Sequence, residues 1–538
     1  MPARVPMIEA YNNLLKLESF ISATQQFEAL VVYLASQGAC LEQHGNIEQY
    51  LQTAGNELLR RLLQGHLDHR ATHERPRQSV TGADGIRRTY CRQSVPRRLA
   101  TVFGEVTVTR HAYQKRGHHS LYPMDQELNL SADKYSDGLR QRVAIESSKS
   151  SFDETVRSIA FNTGGAVPKR QSMQLVTKAA IDFEAFYQTR ADQKESTSNL
   201  LVITTDAKGI VMHKEDLRET TKQAAAKQQH KLKSRLSPGE KANRKRMARV
   251  ASVYTTPCFE RTPEQIIRSN KAHNVKRPSI TNKRIWASVE RSSEQVIQEA
   301  MEEAIRRDPD QQRDWVVLVD GETSQLASIE AELKAQSLGA TVIVDFIHVL
   351  EYLWKAARCF YSLDTDEIEQ WVKGRGLKIL QGKCVDVAAG MRRRATVEGL
   401  SQDRRKAVDT CANYLQKYRD YLKYDRYLEK GYPIATGVIE GACRHLINDR
   451  LGITGARWRL SSAEAMLKIR SIRSSGDFEA YWEFHKKTSG LEIIPPFMQS
   501  PSYWKPLRWG NCLSLKKSRT HHRLGFGVTS KYNFFDFR

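Results

Sequence analysis

Three acidic residues carry the first chemical signal in this 538-residue chain. Asp206 follows the apolar, β-branched run Leu200 to Thr204, and Asp320 follows a second such run, Trp315 to Val319, directly before Gly321. Glu440 opens a helical pattern within GYPIATGVIEGACRHLINDRLGITGARWRLSSAEAMLKIRSIR, Gly431 to Arg473. An aspartate after a strand often does no more than cap the next helix, and the helix dipole alone favours a glutamate in a first turn. Two such aspartates on neighbouring strands, joined by a helical glutamate, make a stronger pattern. Carboxylates are the hard oxygen ligands that Mg²⁺ prefers, and two ions roughly 3.5–4 Å apart can clamp the attacking and leaving oxygens of an in-line phosphoryl displacement. Asp206, Asp320 and Glu440 are therefore the candidate catalytic and metal-binding residues, for two Mg²⁺ ions with Mn²⁺ as a substitute.

Cations surround these acids. Around Glu440 the sequence places Arg444, His445, Arg450, Arg457 and Arg459, with Trp458 among them. Arg444, Arg457 and Arg459 are candidate phosphate contacts. Trp458 reads either as a platform for an unpaired base or as a core aromatic. Lys and Arg number 84 against 61 Asp and Glu, a formal net charge of +23. Such an excess points to a polyanion, because neutralising phosphates releases counterions. Lys214 to Arg249 is the most basic stretch, with twelve Lys and Arg against four Asp and Glu. It reads as a solvated segment or as an arm that tracks the DNA backbone, with Arg244, Lys245 and Arg246 in its densest part.

The elements that must position these residues follow from periodicity. Residues 1–75 carry apolar residues at helical spacing, which suits a packing or dimerisation module. Residues 87–130 switch to alternation around Gly104 and predict a β-hairpin. Cys91, His111, His118 and His119 lie in or beside it, at spacings that match no zinc template. Residues 136–190 return to helix. There FDETVRSIAFNTG ends at a glycine pair and a second helix opens with Lys169, Arg170, Gln171 and Ser172, which fits a helix-turn-helix as well as an ordinary helical hairpin. Three short strands, Leu200 to Thr204, Trp315 to Val319 and the run TVIV before Asp345, alternate with helical patterns and predict an α/β sheet with acids gathered at one edge. Met247 to Thr256 adds a further strand. No run of 18 apolar residues predicts a membrane span, and MPARVPMIEAYNNLL lacks the apolar core of a secretory signal. Eight scattered cysteines with no CxxC pair suit reduced thiols, so a cytoplasmic protein without zinc is expected.

The segments TTDAKG, VLVDGE, DFIHVLEYLWKAA and ATGVIEGACRHLINDRLGITGARW resemble the catalytic segments of bacterial DDE-type transposases, most closely the Kra-four insertion-sequence group. The resemblance runs from about Arg87 to His485. It implies a multidomain α/β protein with a ribonuclease-H-like catalytic core (198–361 and 431–487), a basic arm (214–249) and an all-α insertion (362–430) that helps hold the transposon end. It assigns Asp206, Asp320 and Glu440 as the three acids. Asp345 and His348 match a D-x-x-H element with a supporting or DNA-contacting role. The activity implied is metal-dependent cleavage of transposon ends and transfer of the 3′-hydroxyl ends to target DNA, by a homo-oligomer at least dimeric on double-stranded DNA in the bacterial nucleoid. Two departures stand out: the CxxC pair of many relatives is missing near YQKRGHHSLYPMD, and the basic, aromatic tail 488–538 does not resemble the family's usual end. Two other readings stay open at this point. One is a DNA-binding repressor or architectural factor with silent acids; the other is a ribonuclease-H-type nuclease that cuts without joining.

Overall fold

The computed structural model describes residues 17–190, 195–229, 231–232, 236–237, 240–267, 278–361 and 366–491. Parts of the basic arm (230, 233–235 and 238–239) and most of the tail (492–538) lie outside the described residues. The chain is a multidomain α/β protein whose described residues fall into two compact units, 17–258 with 278–345 and 438–491, and 259–267 with 346–437.

The first unit opens with helices Ile21–Leu34 and His44–His73. The short turn Glu18–Phe20 before the first of them lies against Gly65 of the second, where an added Cβ would meet the Ser19 carbonyl oxygen at 2.5 Å. Two short strands, β1 (Val80–Thr81) and β2 (Arg87–Arg88), precede the long hairpin of β3 (Tyr90–Thr101) and β4 (Gly104–Gln114). Its turn residue Gly104 has φ of +128°, which disfavours any side chain. Leu99, Val106 and Val108 bury one hairpin face against Leu67 and Met124. Helices Asp137–Lys149, Phe152–Asn162 and Lys169–Ala179 then share a core of Leu139, Val143, Ile159 and Leu175.

A five-stranded sheet follows, with β5 (Leu200–Val211), β6 (Lys245–Thr256), β7 (Thr281–Ser288), β8 (Trp315–Val319) and β9 (Thr341–Val344) in the order β7-β6-β5-β8-β9. β5, β6 and β7 pair antiparallel, whereas β8 and β9 run parallel to β5. The parallel strands need crossovers, and helix Thr323–Ala335 supplies the one between β8 and β9. Helix Leu460–Ser475 covers the β7 edge. Glu464 and Ser475 accept hydrogen bonds from the N–H groups of Val289 (2.8 Å) and Ile285 (2.9 Å), and Ser471 accepts one from Ala287 (3.3 Å). An exposed edge strand would be a template for unwanted pairing; here side chains of one helix satisfy it.

The second unit is helical among its described residues. Phe346–Ala357, Asp366–Leu380, Cys384–Val397 and Gln402–Lys417 bury Leu353, Val372, Met391, Val408 and Leu415. Its longest segment runs from Phe346 to Gly437. The helix that opens with DFIH packs with the helical layer, as its buried Val349, Leu350 and Leu353 stripe dictates.

Candidate functional site

The register of the parallel strands brings the aspartates together. Thr204 pairs with Leu318 between β5 and β8, so two residues on Asp206 and Asp320 reach the same position. Val319 pairs with Val344 between β8 and β9, so one residue on Asp320 and Asp345 match as well. The Asp345 N–H still donates to the Val319 carbonyl at 2.8 Å, which keeps that register intact. Counted on from these pairs, Asp206, Asp320 and Asp345 form one row, Asp206 within β5 and the other two just past the ends of β8 and β9. The carboxyl ends of β8 and β9 are where open α/β sheets place their ligands.

Each member has its own surroundings. Asp206 is half-buried; its Oδ1 accepts the Ala207 N–H at 2.6 Å and its Oδ2 accepts the Cys443 thiol at 3.1 Å. It does not end its strand as expected. β5 continues to Val211, with Asp206 opposite Val250 of β6, because only the β8 side of the ladder stops. Asp320, also half-buried, accepts the Glu322 N–H at 3.0 Å around Gly321, whose φ is +88°. Asp345 is fully buried.

Glu440 is exposed, on helix Gly437–Ala442. Its carboxylate and that of Asp345 offer oxygens within 4.8 Å of one another. Oxygens about 4 Å apart can share one Mg²⁺ whose bonds are about 2.1 Å. The helix then widens into a π-helical segment, Cys443–Asn448, which packs against β5. Such segments are frequent at functional sites. Cys443 is buried there, and that burial, followed by the charges of Asp206 and Glu440, pushes its thiol far up. His348 lies on Phe346–Ala357, partly buried, in the second unit.

The expected cations divide into two groups. Arg444, Arg457 and Arg459 are exposed; Arg444 faces Asp449 at 3.7 Å, and Arg459 pairs with Glu215 at 2.9 Å and Asp216 at 3.5 Å. Arg450 turns inward. It donates to the Ser147 carbonyl at 2.7 Å and lies over the Phe152 and Trp458 rings, and burial pushes its pKa down to about 10. Trp458 is 5% exposed, and its indole N–H donates to the Leu451 carbonyl at 3.2 Å. Of its two readings, the core aromatic is the one found. Its backbone also extends β5: Trp458 N–H donates to Val211 at 3.0 Å, and His213 N–H donates to Trp458 at 2.9 Å.

Lys169 and Arg170 stand exposed in the first turn of Lys169–Ala179, with Gln171 half-buried, and Lys169 pairs with Asp153 at 2.7 Å. In the basic arm Arg244 and Lys245 are exposed. Arg246 departs from the expected DNA contact. Its guanidinium donates to the Val289 carbonyl at 2.8 Å and the Asp216 carbonyl at 3.2 Å, and burial lowers its pKa. Two features escaped the sequence reading. Cys443 carries no signal beyond lying one turn after Glu440. The position of Asp345 beside Glu440 follows a clue that was present: TVIV ends in Asp as WVVLV does. No protein-family model matches the chain, and no curated protein matches its sequence.

Proposed function

We propose that the protein is a DDE-type DNA transposase, which cuts transposon ends and transfers their 3′-hydroxyls to target DNA. The observation that carries this reading is the placing of Asp206 within β5 and of Asp320 and Asp345 just past the ends of its parallel neighbours β8 and β9, with Glu440 beside Asp345. The five-stranded order, antiparallel in its first three strands and parallel in its last two, is compatible with a ribonuclease-H-like core. Carboxylate donors are the hard oxygen ligands that suit Mg²⁺ or Mn²⁺. Asp206, Asp320 and Glu440 would hold the ions, with Asp345 as a fourth carboxylate within reach of Glu440. When bound, Mg²⁺ supplies Lewis-acid stabilisation of the charge that develops on phosphoryl oxygens.

The chain's own residues do the positioning. The sheet carries the aspartates on or directly after its paired strands, so their backbones are placed before DNA arrives. Exposed Arg444, Arg457 and Arg459, together with Lys169, Arg170, Arg244 and Lys245, supply cations for backbone phosphates, which orient the duplex without reading its sequence. The partner is double-stranded DNA, held by at least a dimer, in the bacterial nucleoid. The helical unit steadies the transposon end.

A DNA-binding protein whose acids no longer act is the second reading. Incubating the protein in Mg²⁺, Mn²⁺ and EDTA with DNA that carries the element's own ends separates the readings. Metal-dependent cutting and joining support the transposase. Cutting without joining supports a nuclease, and binding without cutting leaves a repressor or architectural protein.

A further inference from the structure

The thiol of Cys443 donates a hydrogen bond from the helical segment that carries Glu440 to Asp206 on β5. Cys443 follows Glu440 by three residues, so the two lie on the same side of the helix. The π-helical turn begins at Cys443 itself and packs on β5. The Sγ lies 3.1 Å from Asp206 Oδ2, while the Ala207 N–H holds Oδ1 at 2.6 Å. A carboxylate gripped at both oxygens cannot rotate about its last bond. Its remaining lone pairs keep one direction.

We infer that Cys443 is a positioning residue of the acidic site: its S–H fixes the Asp206 carboxylate and ties the Glu440 helix to β5, so that acids from distant parts of the chain keep one spacing. The inference rests on the reading of these acids as metal ligands. Its physical content is preorganisation. A metal ligand is oriented by hydrogen bonds from its neighbours, and removing such a partner typically costs about 10–100-fold in metal affinity or activity. Cys443 touches neither DNA nor a reacting atom in this scheme, so its effect acts through Asp206.

Sequence alone does not single out this cysteine. Cys359, Cys384 and Cys411 are buried as well, and Cys411 has its thiol pushed up to about 12 by burial among apolar neighbours. Cys443 differs from it in having an acid of the site as its hydrogen-bond partner.

The test is Mn²⁺ binding to the full chain, read by the loss of the free-ion electron paramagnetic resonance signal, for wild type, Asp206→Asn, Cys443→Ala and Cys443→Ser, each with its thermal melting curve. Cys443→Ala is expected to melt near wild type and to bind Mn²⁺ about tenfold more weakly. Cys443→Ser, which keeps a donor, is expected to recover most of the loss. If Cys443→Ala does not fold, Cys443→Val fills the space without a donor and carries the same expectation. Should Asp206→Asn lose Mn²⁺ while the donor-free variants bind like wild type, the positioning role is overturned and the metal site stands. Should Asp206→Asn bind like wild type, or wild type bind none, the metal-site reading falls and this inference with it.

Discussion

Asp206 and Asp320 each lie two residues beyond the last pair of the β5–β8 ladder, Thr204 with Leu318, although the helix Ser293–Arg307 and the whole of β6 and β7 separate them in the chain. The parallel pairing therefore brings these two distant stretches of backbone side by side. Asp206→Asn and Asp320→Asn keep the shape of each side chain and remove its charge. Both variants are expected to fold, to bind DNA, and to lose more than about 100-fold of any metal-dependent cleavage, the upper end of what loss of a supporting ligand partner costs. Cleavage rates with DNA-binding isotherms for each variant check this, and a mutant that cuts like wild type removes that acid from the site.

Asp345 separates a three-acid site from a four-acid one. It is fully buried, it continues the row of Asp206 and Asp320, and it offers an oxygen within 4.8 Å of one on Glu440. If it holds metal, Asp345→Asn lowers cleavage as severely as Glu440→Gln, and raising Mn²⁺ restores part of the rate. If it only supports the sheet end, the variant melts earlier and extra Mn²⁺ has no effect. Rates across a Mn²⁺ series, set beside melting temperatures, distinguish these outcomes.

What could be read from the sequence was local. The apolar runs ending in Asp320 and Asp345 are short and bounded, so both strands and both acids were visible. β5 was read too short because, beyond Thr205, Lys208 and Gly209 break the apolar run; β6 alone keeps that part extended. β7 was missed because its outer half, Thr281 to Arg284, is polar, and its edge is satisfied by Glu464, Ser471 and Ser475 from a helix far along the chain. Trp458 reads from the sequence equally as a base platform or as a core aromatic. Its burial depends on Phe152 and Arg450, which no spacing rule connects to it. The Cys443 contact is tertiary and left no trace in the pattern.

Glu303 makes the first unit sensitive to acid. It is 2% exposed and pairs with Arg284, with Arg306 at 2.7 Å and with Arg307 at 2.5 Å. Burial opposes its charge, but the three guanidinium groups prevail and hold its carboxyl at about 2, below the usual 4.5. Its folded pKa is depressed, so its contribution is complete above pH 4.5 and fades as pH falls towards 2, by about 3 kcal/mol. Denaturant midpoints at pH 7, 4 and 3 should fall for wild type. Glu303→Gln should start lower, by about 3–5 kcal/mol because buried arginines lose their partner, and should depend less on pH across that window.

Neighbouring basic residues of the arm should behave in opposite ways. Arg244 and Lys245 are exposed, so replacing either by Ala should leave melting unchanged and reduce the slope of log binding constant against log salt by about 1 each, one phosphate contact apiece. Arg246 bridges the Val289 and Asp216 carbonyls. Arg246→Ala should cost about 1.5–3 kcal/mol of stability, as hydrogen bonds to charged groups do, and should leave the slope near wild type. Salt titrations of DNA affinity with parallel melts measure both. A slope change for Arg246→Ala alone would reverse the assignment.

Trp458 ties the end of β5 to the helix Phe152–Asn162. Its indole packs with Phe152 at 6.3 Å between ring centroids and under the Arg450 guanidinium at 5.0 Å, and its backbone pairs with Val211 and His213. Removing the ring opens a cavity beneath a buried arginine whose main neighbour is then gone. Trp458→Ala should lose about 3–5 kcal/mol, while Trp458→Phe keeps most of the volume and costs less, forfeiting chiefly the hydrogen bond to Leu451. A ring that served only to stack on DNA would show the reverse: normal melting for Trp458→Ala and a loss of affinity for DNA with an unpaired end. Denaturant curves and binding to blunt and single-strand-tailed duplexes, measured on both variants, decide between a core residue and a base platform.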